Sequence, residues 1–158
     1  WSGFKFFNVY GFGEVHKTTM WSVVLKSFFD LQKTNTVKLF KSNKKEYAHG
    51  KQKRDFIFID DIIDVLHFAL KKPIHRGIYN LGTGQARTFH DLVKAVFHEM
   101  NQSEKIEFIE IPEHIAPRYQ YFTQATMDKL KNQGYHKPFT SLELGVKKYI
   151  ERLKSFYL

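Results

Sequence analysis

Short apolar runs alternate with helically spaced ones along this chain, and the first junction between the two constrains the fold most. Phe4-Lys5-Phe6-Phe7 runs into Asn8-Val9-Tyr10-Gly11-Phe12-Gly13-Glu14-Val15-His16-Lys17, and Met20 to Leu31 then carries apolar residues at helical spacing. That is a buried strand, a polar loop and a helix. Units of this kind assemble into a mostly parallel sheet with helices on its faces. Ligands of such sheets sit beyond the carboxyl ends of the strands, so the polar residues crowded at this junction are placed to face one.

The pattern continues. Residues 1–9 read as one strand, 20–31 as a helix and Val37 to Phe40 as a short strand, followed by a lysine-rich polar insertion from Lys41 to Lys53. Asp55-Phe56-Ile57-Phe58-Ile59 suits a buried strand. Asp60 or Asp61 can cap the next helix, whose stripe of Ile62, Val65, Leu66 and Ala69 ends at Pro73. Gly77 to Leu81 reads as a strand, and Thr88-Phe89-His90-Asp91 as a capping box opening a helix. Ile106 to Ile111 is strand-like and Pro112 to Tyr121 a loop. Ala125 to Asn132 reads as a short helix closed by Gly134, and Thr140 or Ser141 begins the last helix.

With 158 residues, 42% of them hydrophobic, the chain can bury one core. No run approaches the roughly 18 apolar residues of a membrane span. A soluble cytoplasmic protein without membrane partners is expected. The absence of cysteine excludes disulfides and thiolate chemistry, and the eight histidines show no zinc-ligand spacing. A net charge of +9 suits nucleic acid, an anionic surface or a phosphorylated small molecule. The lysines are spread out and no nucleic-acid motif accompanies them, which favours one anion-binding pocket in a solvated surface. The chain begins at Trp1 and runs at once into a strand, from which a missing N-terminal part is expected.

Phe-Phe-Asn-Val-Tyr-Gly, Glu14 with His16-Lys17, Lys53-Arg54-Asp55-Phe56, Tyr79-Asn80-Leu81-Gly82-Thr83-Gly84 and Arg118-Tyr119-Gln120 occur in a telling order. In that order they resemble the extended short-chain dehydrogenase/reductase enzymes of nucleotide sugars. Within that family, the Glu-x-His-Lys loop and Arg-Tyr-Gln followed by Phe122-Thr123-Gln124-Ala125 resemble the ADP-glyceromanno-heptose epimerases more than the UDP-sugar epimerases and dehydratases. The resemblance implies an α/β fold, here the C-terminal part of such an enzyme. Residues 1–158 would hold the last Rossmann strands and a small α/β substrate-binding domain. The resemblance also implies NADP as cofactor, with most of its site in the absent N-terminal half, an ADP-sugar substrate, a role in supplying lipopolysaccharide core heptose, and a homo-oligomer.

Neither Gly11-Phe12-Gly13 nor Gly82-Thr83-Gly84 has the third glycine of a dinucleotide fingerprint, so both are expected to be loop turns. Tyr47-Ala48-His49-Gly50-Lys51 spells Tyr-x-x-x-Lys, but Gly50 in a polar insertion argues against the helix that would bring such a pair together. The chain alone is therefore expected to be inactive. By resemblance, Lys17 is the second proton carrier of the epimerisation and, with Val9, touches the cofactor. Asn8, Thr19, Lys26, Phe40, Lys41, Ser42, Asn43, Arg54 and Tyr119 fall on substrate-binding positions. Thr19 stands where the family has Ser, Lys26 where His is common, and Lys41-Ser42-Asn43 depart from the family's Glu-Gly-Ser. Arg54 carries the planar fork that suits a pyrophosphate. Two alternatives remain open: another nucleotide-sugar epimerase or dehydratase, and a basic non-enzymatic nucleic-acid or anion-binding module.

Overall fold

The computed structural model describes residues 1–158. The N-terminal aromatic run is not one strand. It divides at Phe7 into β1 (Ser2–Phe6) and β2 (Asn8–Tyr10). β1 pairs in parallel with the strand Gly77–Leu81, and β2 in parallel with the strand Lys53–Phe58. The Phe7 N–H still donates to the Leu81 carbonyl at 3.0 Å. The chain thus leaves one partner and takes the next within a residue, and this fork turns Asn8 outward.

A turn of 3-10 helix, Val15–Met20, precedes α1 (Val23–Thr34). The helix begins later than its apolar spacing predicts because the Ser22 hydroxyl caps it, accepting from the Leu25 N–H at 3.2 Å. It ends at Asn35 in the left-handed conformation. β3 (Val37–Phe40) pairs in parallel with the later strand Ile106–Ile109. The insertion is irregular up to β4 (Lys53–Phe58), which runs directly into α2 (Ile59–Lys71). Neither Asp60 nor Asp61 caps α2. Asp61 is buried and accepts from the Thr140 N–H at 2.9 Å and hydroxyl at 2.8 Å, so it ties α2 to the start of the last helix.

β5 (Gly77–Leu81) is followed by β6 (Ala86–Thr88), antiparallel to β4, and by α3 (Phe89–Glu99). Both halves of the capping box on α3 form, at 3.0 and 3.1 Å. After β7 (Ile106–Ile109), α4 is a single turn, Asp128–Lys131. It is shorter than expected because the Ala125 N–H is committed to Asp55 at 3.0 Å and Thr123 N–H to the Lys53 carbonyl at 3.2 Å, which keeps that stretch extended. α5 (Leu142–Tyr157) is capped by Ser141.

β4 organises the interior. Phe56 and Phe58 face a core with Phe28 and Leu31 of α1, Phe97 of α3, and Tyr149 and Leu153 of α5. Ile57, pointing the other way, joins Tyr79, Leu81, Val65 and Leu130. Parallel pairing starts at Ser2, and helices flank the strands along nearly the whole chain. The expectation of a C-terminal remnant short of its nucleotide-binding strands is corrected accordingly: the α/β arrangement extends through the N-terminal residues. No helix is long and apolar enough to cross a membrane.

Candidate functional site

The β1/β2 fork opens into a cavity of about 560 Å³. Asn8 and Val9 reach it from β2, Lys17 from the 3-10 turn, Lys26 and Ser27 from α1, Phe40 from β3, Arg54 and Phe56 from β4, and Tyr119 from the loop after β7. Gly11 lets the turn leave β2 tightly, since its φ is 151° and a side chain there would strike Ile59.

Arg54 is buried. Its Nη1 donates to the Lys53 carbonyl at 2.9 Å and its Nη2 to the Gln120 carbonyl. The guanidinium lies between two rings, 5.4 Å from the centre of Tyr119 and 5.6 Å from that of Phe89. Burial pushes its pKa down, yet guanidinium remains charged in any ordinary solution. Tyr119 packs edge-on to Phe40 at 5.9 Å and to Tyr121 at 5.3 Å. Burial raises its pKa, so the phenol is neutral and can donate. The wall is therefore an aromatic cluster holding one fixed cation, with exposed Lys17 and Lys26 across the opening.

Four expected substrate residues do not line this cavity. Thr19 is exposed on the 3-10 turn. The Lys41 ammonium pairs with Glu110 at 2.6 Å, the Ser42 N–H donates to His49 Nδ1 at 2.9 Å, and the Asn43 N–H donates to the Tyr121 hydroxyl at 3.0 Å. These contacts fasten the insertion to its surroundings.

The glycine turns hold protein groups. The amides of Thr83 and Gly84 donate to the Asp55 carboxylate at 2.7 and 2.9 Å, and a side chain at Gly82 would press on Ala125 and Asp55. Those amides are not free for a pyrophosphate. Tyr47 to Lys51 is not helical; Tyr47 packs on Tyr121, and Gly50, at φ 73°, lies against Leu39 and Phe108. A second cavity, about 590 Å³, opens beside Arg87 and Lys137. Both cations are already paired there, with Glu143 and Asp64.

Sequence reasoning assigned no role to three residues that shape the site. Gln52 is buried, and its Nε2 donates to the Phe40 carbonyl at 3.3 Å and the Lys41 carbonyl at 3.0 Å, joining β3 to β4. Asp55 gathers the glycine turn. Glu14 is buried although it lies in a polar loop. Its place at the head of the Glu-x-His-Lys loop was its signal, but nothing in that motif shows that the carboxylate is buried.

Residues 2–82 match the NAD dependent epimerase/dehydratase family. That match overturns two expectations: that the chain is only a C-terminal portion lacking the nucleotide-binding region, and that the NADP site lies in an absent half. The chain is 45% identical over 157 residues to the ADP-L-glycero-D-manno-heptose-6-epimerase of Fusobacterium nucleatum, covering 96% of this chain and 47% of that protein. It is 45% identical over 148 residues to the enzyme of the same name from Nitratidesulfovibrio vulgaris, covering 94% of this chain and 46% of that one. The crystal structure of the Helicobacter pylori ADP-L-glycero-D-manno-heptose-6-epimerase superposes with a TM-score of 0.80 at 30% identity, over 98% of this chain and 44% of that one. The chain spans about half the length of the curated relatives it matches.

Proposed function

The chain belongs to the NAD dependent epimerase/dehydratase family, and from that premise we propose that its cavity binds an ADP-sugar for epimerisation of ADP-glycero-D-manno-heptose at the sugar's C6. The observation that carries this reading is the convergence of Asn8, Lys17, Lys26, Phe40, Arg54 and Tyr119, from six parts of the chain, on one cavity. A diphosphate needs fixed positive charge, and Arg54, held by two rings and two carbonyls, supplies it without reorganising; Lys26 adds a second charge at the rim. Phe40 and Tyr119 offer aromatic faces to the base. The Asn8 amide can donate to and accept from a sugar hydroxyl.

The residues present fit contact with a nicotinamide cofactor at Val9 and Lys17. These two border both the main cavity and a small adjoining one with Gly11, Phe12 and Gly13, pairing an apolar wall with an ammonium. Bound there, such a cofactor would supply reversible hydride transfer at a sugar carbon. Lys17 Nζ then serves as a proton carrier at the sugar hydroxyl. Cytoplasmic residence, self-association and a place in heptose supply for lipopolysaccharide belong to the same reading.

Assay of the protein with ADP-D-glycero-D-manno-heptose tests it. Arg54→Ala is expected to raise KM about 10–100-fold, in line with the loss of a charge-assisted pair. Lys17→Ala is expected to lower kcat about 100-fold with a smaller change in KM. Turnover of a UDP-sugar in preference to the ADP-sugar, or binding indifferent to Arg54→Ala, would remove the assignment.

A further inference from the structure

Glu14 is a buried carboxylate with no cation against it. Removing such a charge from water is costly unless hydrogen bonds replace the solvent. Here three do. Glu14 accepts from the Ser22 N–H at 2.7 Å, the Ser22 hydroxyl at 2.6 Å and the Tyr149 hydroxyl at 2.9 Å. The last donor comes from α5, 135 positions along the chain. Burial and the neighbouring carboxylate raise the Tyr149 pKa, so its hydroxyl stays a donor. Ser22 also caps α1, which places the carboxylate at the positive end of that helix.

Glu14 opens the 3-10 turn that carries Lys17. Its own carbonyl receives the Lys17 N–H at 2.9 Å, and the Trp21 indole N–H closes the far side of the turn on the Val15 carbonyl at 2.8 Å. Between these ties sits Thr18, with φ 48° and ψ −103°. A β-branched residue avoids that conformation, which persists only where surrounding contacts over-determine it. The Lys17 side chain is exposed and makes no ion pair, so its place at the cavity is set by the backbone beneath it.

We infer that Glu14, clamped by Ser22 and Tyr149, is a positioning residue that holds the Lys17 turn against Asn8 and Val9. Its functional consequence rests on Lys17 carrying a proton. A purely structural carboxylate would stabilise the junction of three elements without governing where the ammonium sits. The clamp predicts more, since a displacement of about 1 Å at a reacting group can cost on the order of 100-fold in rate.

The test uses Glu14→Gln, which keeps the size but exchanges one acceptor oxygen for an amide, and Tyr149→Phe, which removes one donor and leaves the ring packed. Two readouts are needed in the cofactor-loaded protein. One is the split between kcat and KM. The other is the rate at which an amine-acylating reagent modifies Lys17, followed by mass spectrometry, with exposed Lys33 as internal reference. For Glu14→Gln we expect kcat to fall about 10–100-fold with KM within about threefold. We also expect the Lys17 modification rate to shift relative to Lys33, and Tyr149→Phe to move both quantities in the same direction by less. Wild-type kcat, or a wild-type Lys17 to Lys33 ratio, in Glu14→Gln overturns the inference. If the wild-type protein does not turn over the ADP-sugar, the functional reading fails, while the modification ratio still decides whether Glu14 positions Lys17.

Discussion

Asp55 follows a candidate ligand-binding arginine in the sequence, and Lys53-Arg54-Asp55 invites a solvated charge pair between neighbours. The two side chains instead point to opposite tasks, as strand alternation requires. Arg54 lines the cavity, whereas Asp55 is fully buried and accepts from the Thr83 N–H and hydroxyl, the Gly84 N–H and the Ala125 N–H, at 2.6 to 3.0 Å. Three of the four donors are the backbone amides of Thr83, Gly84 and Ala125, each given to this carboxylate. Asp55→Ala should therefore destabilise the fold by about 3–5 kcal/mol, because the loss of one acceptor strands several buried donors. Urea unfolding followed by circular dichroism would measure this. A loss below about 1 kcal/mol, the worth of an ordinary hydrogen bond, would show that water replaces the carboxylate there. At this scale the residue types were legible and their partners were not. Arg54 could be picked out by its motif, but nothing in the sequence around position 55 points to residues 83, 84 and 125. Lys41, Ser42 and Asn43 illustrate the converse. They occupy familiar positions in a motif, but the insertion behind them uses their polar groups to anchor itself.

Among the elements, what could be read from sequence was what local chemistry decides. The α3 capping box needs only Thr88 and Asp91, and the α5 cap only Ser141, so both were visible. The split of the first strand, and β6 with its three residues, are set by pairing with distant strands and leave no period to read. β6 nonetheless joins two helices, because Arg87 pairs with Asp91 of α3 at 3.5 Å and Glu143 of α5 at 2.6 Å. The Arg87 hydrogen bond holds the Glu143 pKa below its ordinary 4.5. Desolvation alone would raise Asp91, but the two hydrogen bonds with Thr88 and the charge of Arg87 outweigh it and hold the pKa below 3.8. Folded-state pKa values depressed in this way mean that, as pH falls, protons bind the unfolded chain first. The stabilisation is whole above the ordinary carboxylate values and is lost as pH drops through the folded ones. Both carboxylates are partly exposed, so the effect should be modest and weakened by salt. The urea midpoint should decline from pH 5 to pH 3, and Arg87→Met should flatten that decline. An equal slope in the variant would mean that other carboxylates dominate acid unfolding.

For the molecule as a whole, parallel strands are ordinarily covered on both faces. One face of the β1–β5 pair is packed through Tyr79 and Leu81, which are fully buried. The other face presents Trp1 and Ile78, 76% and 62% exposed. α2 behaves likewise. Ile62 and Val65 face inward, while Ile63, Leu66 and Leu70 form an apolar stripe at helical spacing that is exposed to solvent. The alternation of apolar residues gave the inward faces directly, but the outward ones cannot be told from core in sequence, because exposure depends on what lies against them. Apolar surface of this kind favours association, whereas a net charge of +9 opposes it by repulsion between copies. Salt weakens the repulsion and leaves the apolar contact, so the balance has a definite sign. The weight-average mass from sedimentation should rise with protein concentration, and rise further in about 0.5 M salt, where the screening length falls below about 5 Å. Leu70→Glu with Ile63→Lys should return the protein towards monomer while leaving its circular dichroism unchanged, since neither side chain contributes to a core. Were the wild-type protein to remain monomeric at all salt concentrations, charge and not apolar area would govern its surface. Were the double variant to associate as the wild type does, the contact would lie on the β1–β5 face and not on α2.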